Sequence, residues 1–113
     1  MKDTGGERSF ELDVHDVVRA IPAGRVTSYG AIARVLGSAQ ASRRVGWVLN
    51  KSFEAEPRVP AHRVVNRMGV LTGEMHFPAD RPMAAQLQAE GVEVQNGKVV
   101  DFDKVFWNPM TEL

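Results

Sequence analysis

"VTSYGAIARVLGSAQASRRVGWVLN", residues 26–50, reads as two short helices folded back on each other. Thr27 or Ser28 can accept hydrogen bonds from the orphan amides that open a helix. That helix runs to about Leu36, with Ile32, Ala33 and Leu36 inward, and Gly37 stops it. Ser38 can cap a second helix, from about Ala39 to Lys51, that turns Val45, Val48 and Leu49 inward. Two such helices joined by a glycine-containing turn make a helix-turn-helix. Many small domains contain this corner without touching DNA, so its surface residues must decide its use.

That surface is unusual. Ala39, Ala41, Ser42 and Gly46 on the second helix are small, and Arg43 and Arg44 stand among them. Small residues let a backbone approach a partner closely, and a guanidinium can meet a phosphate or replace a base in a stack. The plainer reading is a tightly packed helix with two solvated arginines. Tyr29, at the start of the preceding helix, is either core or cap, or a phenol reaching the same surface. A transcription regulator reading the major groove needs long polar side chains to reach base edges. Ala41, Ser42 and Gly46 argue against one.

Outward from this corner, Phe10, Val14, Val17, Val18 and Ile21 fall on one helical face, closed by "PAG" at 22–24. "EAEPRVP" at 54–60 is a loop. Asp80 with Pro82 opens a last helix bearing Met83, Leu87 and Ala89 and ended by Gly91. "VEVQNGKVVDF" at 92–102 alternates around Asn96-Gly97, a strong short hairpin signal. "FWNPMTEL" at 106–113 is an apolar tail that should fold back onto the body. The expected class is α/β: a winged-helix-like body with a helix-turn-helix and a C-terminal β-hairpin. Residues 1–113 form one domain behind a flexible leader, residues 1–8.

Composition sets the limits. Fourteen Lys and Arg balance fourteen Asp and Glu, so bulk charge does not drive the chain onto nucleic acid or membranes. A local basic face remains open, because the field depends on how charge is distributed. No window approaches the roughly 18 apolar residues of a membrane span, and "MKDTGGERS" lacks a signal-peptide apolar core, which together point to the cytoplasm. With zero cysteines there is no disulfide, thiolate zinc site or cysteine nucleophile. His15 and His76 have no partners at ligand spacing, and no Walker or Rossmann glycine pattern occurs, so no metal or cofactor is expected.

"VPAHRVVNRMGVLTG", residues 59–73, has the look of a reactive lip, yet its central position, Ala61, has no chemistry. "VTSYGAIARVLG", "SRRVG", "PAHRVV" and "LQAEG", in this order and spacing, resemble the C-terminal domain of the O6-alkylguanine-DNA alkyltransferases. The likeness spans residues ~10 to ~92 and is carried by the composite. It implies a helix-turn-helix that enters the minor groove by its small-residue face. It also implies that Arg43 fills the gap left by a flipped nucleotide, while Tyr29 helps rotate that nucleotide's phosphate. In the family signature the residue at Ala61 is the cysteine that accepts the alkyl group. A methyl group is no nucleophile, so suicide transfer is excluded and the chain is not an enzyme. The tail "FWNP" is similar to the alkyltransferase-like proteins, which carry Trp or Ala at this position. They bind alkylated guanine without repairing it and flag it for nucleotide excision repair.

The resemblance assigns further residues. His62 and Glu90 match a relay that activates the cysteine; without a thiol, they read as a buried hydrogen-bonded pair under the pocket. Arg63 reads as a loop anchor. Main-chain groups near Ala61 and Val64 are candidates for the guanine edge. Arg67 either meets a backbone phosphate or is solvated. Trp47 reads first as core packing, with a wall of the cavity as the alternative. The expected DNA-binding set is therefore Tyr29, Ala41, Ser42, Arg43, Gly46 and Arg67, and the expected lesion pocket is Tyr29, Trp47, Ala61 and Val64. The expected partners are duplex DNA containing O6-alkylguanine and excision-repair damage-recognition proteins, bound by a monomer. The rival accounts are a transcription regulator and an engineered Cys-to-Ala alkyltransferase, which the short chain and "EMHFPADRP" after Gly73 disfavour.

Overall fold

Helix α1, Phe10–Ala20, begins where Ser9 accepts from the Leu12 amide at 3.1 Å, and it buries Val14, Val17 and Val18. The computed structural model describes residues 9–113, so the expected leader at 1–8 lies outside the described residues. Strand β1, Thr27–Ser28, leads directly into α2, Tyr29–Val35. Ser28 is the cap, accepting from the Ala31 amide at 3.1 Å, which decides between the two candidate hydroxyls. Gly37 follows with φ +82°, a left-handed conformation that costs glycine nothing.

Helix α3, Ser42–Asn50, starts three residues later than expected. Ser38 forms a turn instead, its carbonyl accepting from the Ala41 amide at 2.9 Å. Ala41 becomes the unassisted cap, with its methyl in the core at 5% exposure. Helices α2 and α3 pack on each other and on α1 around Ile32, Ala33, Val45 and Leu49. The helix-turn-helix is therefore present, with Leu36 and Val48 only half-buried at its rim.

Strand β2, Val64–Val65, pairs in parallel with β1, Thr27 against Val64 and Ser28 against Val65. This short pairing joins the start of the helix-turn-helix to the Pro60–Arg63 turn across some 37 residues of chain. Helix α4, Met83–Ala89, buries Met83 and Leu87, while Ala89 is exposed; Gly91, at φ +87°, closes it. Pro82 caps it without a side-chain bond, and Asp80 takes no part.

The hairpin forms as expected. Strands β3, Val94–Gln95, and β4, Lys98–Val99, flank Asn96 and Gly97 at φ 53° and 73°. Positive φ at both turn residues is the type I′ geometry that matches strand twist. The Leu71 amide donates to Gly97 and the Val99 amide to Gly69, so the hairpin is tied to the 66–71 loop. With α4 it builds a second core cluster around Val26, Val65, Leu71 and Val92.

Helix α4 is not the last one: α5, Phe102–Val105, and α6, Pro109–Glu112, follow. The tail does fold back. Phe106 bridges Val26, the Trp107 amide donates to the Val26 carbonyl at 2.7 Å, and Trp107 is 3% exposed in the first core cluster. Arg25 clamps the turn by donating to the Val105 and Phe106 carbonyls.

Candidate nucleic-acid interface

A groove of about 380 Å³ opens between α3 and the loop after β2. Its lining brings Tyr29, Ser42, Arg43, Gly46 and Trp47 together, five of the residues singled out from the sequence. Arg43 is exposed, and among the described residues no hydrogen bond or ion pair holds its guanidinium. Arg44 differs: its guanidinium lies 4.2 Å above the Phe10 ring, a cation–π contact that commits it to α1. The two neighbouring arginines thus separate into one that serves the fold and one that is available.

Tyr29 forms the groove's inner wall. Burial pushes its phenol pKa up against the opposing effect of a hydrogen bond with Thr72, so the hydroxyl stays protonated at neutral pH. Gly73 makes room for it, and Gly46 borders it. A Cβ on Gly46 would lie 3.8 Å from the ring, and one on Gly73 would lie 2.9 Å from the hydroxyl, closer than packing allows. Trp47 is 59% exposed, which overturns the core-packing reading. Two residues from Val45 is about 200° around a helix, so Val45 facing inward sends Trp47 outward. The buried tryptophan is Trp107.

The structure adds Asn50, Thr72, Gly73 and His76 to the groove, none of which the sequence reading placed there. Asn50 follows from helical spacing, two turns after Arg43 and one after Trp47. The other three lie on a loop whose path no local periodicity reports.

Four expected residues lie elsewhere. Ala41 is buried and offers no surface. Val64 is fully buried, its backbone engaged with β1. Ala61 is 6% exposed and lines a separate void of about 20 Å³ with Phe53, Phe77 and Pro78; its amide already donates to Val59 at 2.8 Å. The intervening wall is the 73–78 segment, which turns Gly73 and His76 to the groove and Phe77 and Pro78 to the void. Arg67 is exposed in a different groove, beside Gly30 and Arg34.

The His62–Glu90 pair is structural in its geometry. His62 Nε2 donates to Glu90 Oε2 at 2.9 Å, while Arg63 donates to both carboxylate oxygens, at 3.0 and 2.6 Å, and to the Ile21 carbonyl at 2.8 Å. Burial lowers the His62 pKa more than Glu90 raises it, so the imidazole is neutral and its contact with Glu90 is a hydrogen bond rather than an ion pair. Burial also resists ionisation of Glu90, but Arg63 and His62 together outweigh it and hold the carboxyl at about 2. Arg63 anchors the Pro60–Arg63 turn to α1 and α4, as expected. No group of three or more His, Cys, Asp or Glu among the described residues could hold a metal, and no described helix is long and apolar enough to cross a membrane.

Residues 9–92 match the family model described as 6-O-methylguanine DNA methyltransferase, DNA binding domain. The DNA base-flipping protein of Escherichia coli is 42% identical over 90% of this chain and 77% of its own. Alkyltransferase-like protein 1 of Schizosaccharomyces pombe is 32% identical over 88% of this chain and 95% of its own. The crystal structure of S. pombe Atl1 with damaged DNA containing O6-carboxymethylguanine superposes with a TM-score of 0.76 at 31% identity, covering 89% of this chain and 98% of that one. With this match over most of its length and no cysteine anywhere in its sequence, the chain belongs to the alkyltransferase-like family of DNA-binding proteins.

Proposed function

We propose that this protein recognises O6-alkylguanine in duplex DNA without chemistry, by turning the damaged nucleotide out of the stack into the Tyr29–Arg43–Trp47 groove. The observation that carries the reading is Arg43, a cation without a partner among the described residues, on the helix rim of a groove whose wall is a protonated phenol. A groove of about 380 Å³ falls within the roughly 300–1,000 Å³ of small-ligand sites, enough for one base. Extruding a base costs a few kcal/mol. Arg43 in the vacated stack and the Tyr29 hydroxyl at the rotated phosphate offset part of that cost. Trp47 supplies an exposed aromatic face beside the groove for stacking.

The base-flipping name of the E. coli relative and the damaged-DNA complex of S. pombe Atl1 support this reading. The groove is complete within one chain, which supports a monomer. A protein that binds damage without repairing it needs a successor, and nucleotide excision repair acting in the same cytoplasmic compartment is the proposed one. Ser42 and Gly46 keep part of the α3 groove face small, which supports a close backbone approach to DNA.

The test is a matched pair of duplexes, one with guanine and one with O6-methylguanine, at the same salt. The lesion duplex should bind more tightly, and the methyl should still be on the DNA after long incubation. Methyl found on the protein by mass spectrometry, or equal affinity for both duplexes, rejects the reading. Tyr29 gives a second prediction. Tyr29→Phe keeps the ring that packs on Gly46 and loses only the hydroxyl, so lesion affinity should fall by less than for Tyr29→Ala. Equal losses would place the whole effect in the hydroxyl and remove the ring from the account.

A further inference from the structure

A second groove, of about 360 Å³, begins where the first one ends. Tyr29 lines the lesion groove, and its neighbours Ser28, Gly30 and Ala31 line the second. Arg34, one helical turn beyond Gly30, and Arg67, from the loop after β2, stand on it. Both arginines are exposed, and among the described residues neither has a hydrogen-bond or ion-pair partner. The lining carries one carboxylate, Asp103, against these two guanidiniums, so the groove is locally cationic although the chain is neutral overall.

Gly30 gives an independent reason to expect a visitor here. Gly73 is small because Tyr29 occupies the space beside it, 2.9 Å from where a Cβ would sit, and a Cβ on Gly46 would rest in ordinary contact with the same ring at 3.8 Å. A Cβ on Gly30 would meet nothing within 4 Å, and its φ is not in the left-handed region. Glycine gives up more chain entropy on folding than alanine would. Internal packing therefore offers no return for Gly30, whereas a backbone approaching from outside does.

We propose that the Gly30–Arg34–Arg67 groove is a phosphate clamp for the DNA backbone flanking the lesion, distinct from the groove that takes the base. It rests on the DNA-binding reading above. A duplex laid with its damaged nucleotide over Tyr29 runs past Gly30, where the missing side chain lets the strand come close to the two arginines. Phosphate contacts fix position without reading sequence. The clamp thus strengthens binding to damaged and undamaged duplex alike and leaves the preference for the lesion to the first groove.

Salt dependence tests this directly. Each phosphate neutralised contributes about 0.9 to the slope of log affinity against log salt. Arg34→Ala with Arg67→Ala should flatten that slope by about 1.8 on both the plain and the O6-methylguanine duplex, with the ratio of the two affinities unchanged. Arg34→Lys with Arg67→Lys keeps the charges and should restore most of the slope. An unchanged slope in the alanine pair overturns the clamp, as does a loss confined to the lesion duplex. A wild-type protein that fails to prefer the lesion sinks the function proposed above, while the slope on plain duplex still decides the clamp.

Discussion

Glu90→Ala should lower stability by up to about 3–5 kcal/mol, the cost of breaking a fully buried pair by removing one partner, with water at this half-buried site reducing it. It strands the Arg63 guanidinium, which gives two of its bonds to this carboxylate, and leaves the His62 Nε2 proton without its acceptor. For a domain of this size, 1 kcal/mol moves Tm by roughly 4–8 °C, so the melting midpoint should drop by about 10 °C or more. Glu90→Gln retains one acceptor oxygen and should fall between. A shift of only a few degrees in a thermal melt would show that water replaces the carboxylate and that the turn does not depend on it.

The same carboxylate sets an acid limit. Its pKa falls from 4.5 in the unfolded chain to about 2 in the folded protein, so ionised Glu90 favours folding above pH 4.5. That contribution, at most about 3 kcal/mol from the difference of 2.5 and less because water partly screens the half-buried carboxylate, disappears as pH falls from 4.5 to 2. His62, whose folded pKa is lowered, acts in the same direction: the buried ring resists the proton that the unfolded chain accepts. Acid should therefore destabilise the wild type in this window, and Glu90→Gln should remove the Glu90 share of that dependence below pH 4.5. The pair survives in a protein that has no cysteine to activate because the Pro60–Arg63 turn is pinned through it.

The second large effect belongs to Arg43. Arg43→Ala should weaken binding to the O6-methylguanine duplex by ~1–3 kcal/mol, about 5- to 150-fold, by analogy with stacking contacts to single bases. Plain duplex should lose only the share of one phosphate-range cation, so discrimination falls together with affinity. Arg43→Lys keeps the charge and loses the flat guanidinium, and should resemble alanine in discrimination while recovering part of the affinity. Arg44→Ala is the internal contrast. Its loss should appear in stability, through the Phe10 contact, and leave the lesion preference in place. Wild-type lesion affinity in Arg43→Ala would return that residue to the solvated surface.

What the sequence makes legible follows the range of the physics involved. The stripe on α1, the Asn96-Gly97 turn and the Ser28 cap are local, and each forms where the residues put it. The start of α3 misleads in the sequence because Ser38 suits a cap by type and Ala41 does not; the helix nonetheless starts after Ala41, whose methyl is buried in the core. For Trp47, spacing outweighs residue type, since the Val45–Leu49 stripe points it away from the core. Thr72, Gly73 and His76 come from a loop with no period to read. Placing Ala61 beside Tyr29 assumes that the signature turn opens onto the Tyr29 groove, whereas Ala61 lines a separate void and the 73–78 segment borders both. Arg34 carries no signal of its own, because a single arginine at a helix end is ordinary until Gly30 and Arg67 stand beside it.

The two tryptophans occupy opposite environments, Trp47 in solvent at the groove and Trp107 sealed at 3% exposure in the core. An indole in water emits to the red of one in an apolar interior, so the protein carries two built-in optical reporters with separate colours. Stacking against a nucleobase should dim the red-emitting ring and spare the blue, while loss of the native core should shift the blue one towards red. Occupancy of the groove and integrity of the fold can then be followed in one cuvette, without a label, as independent channels of a single emission spectrum.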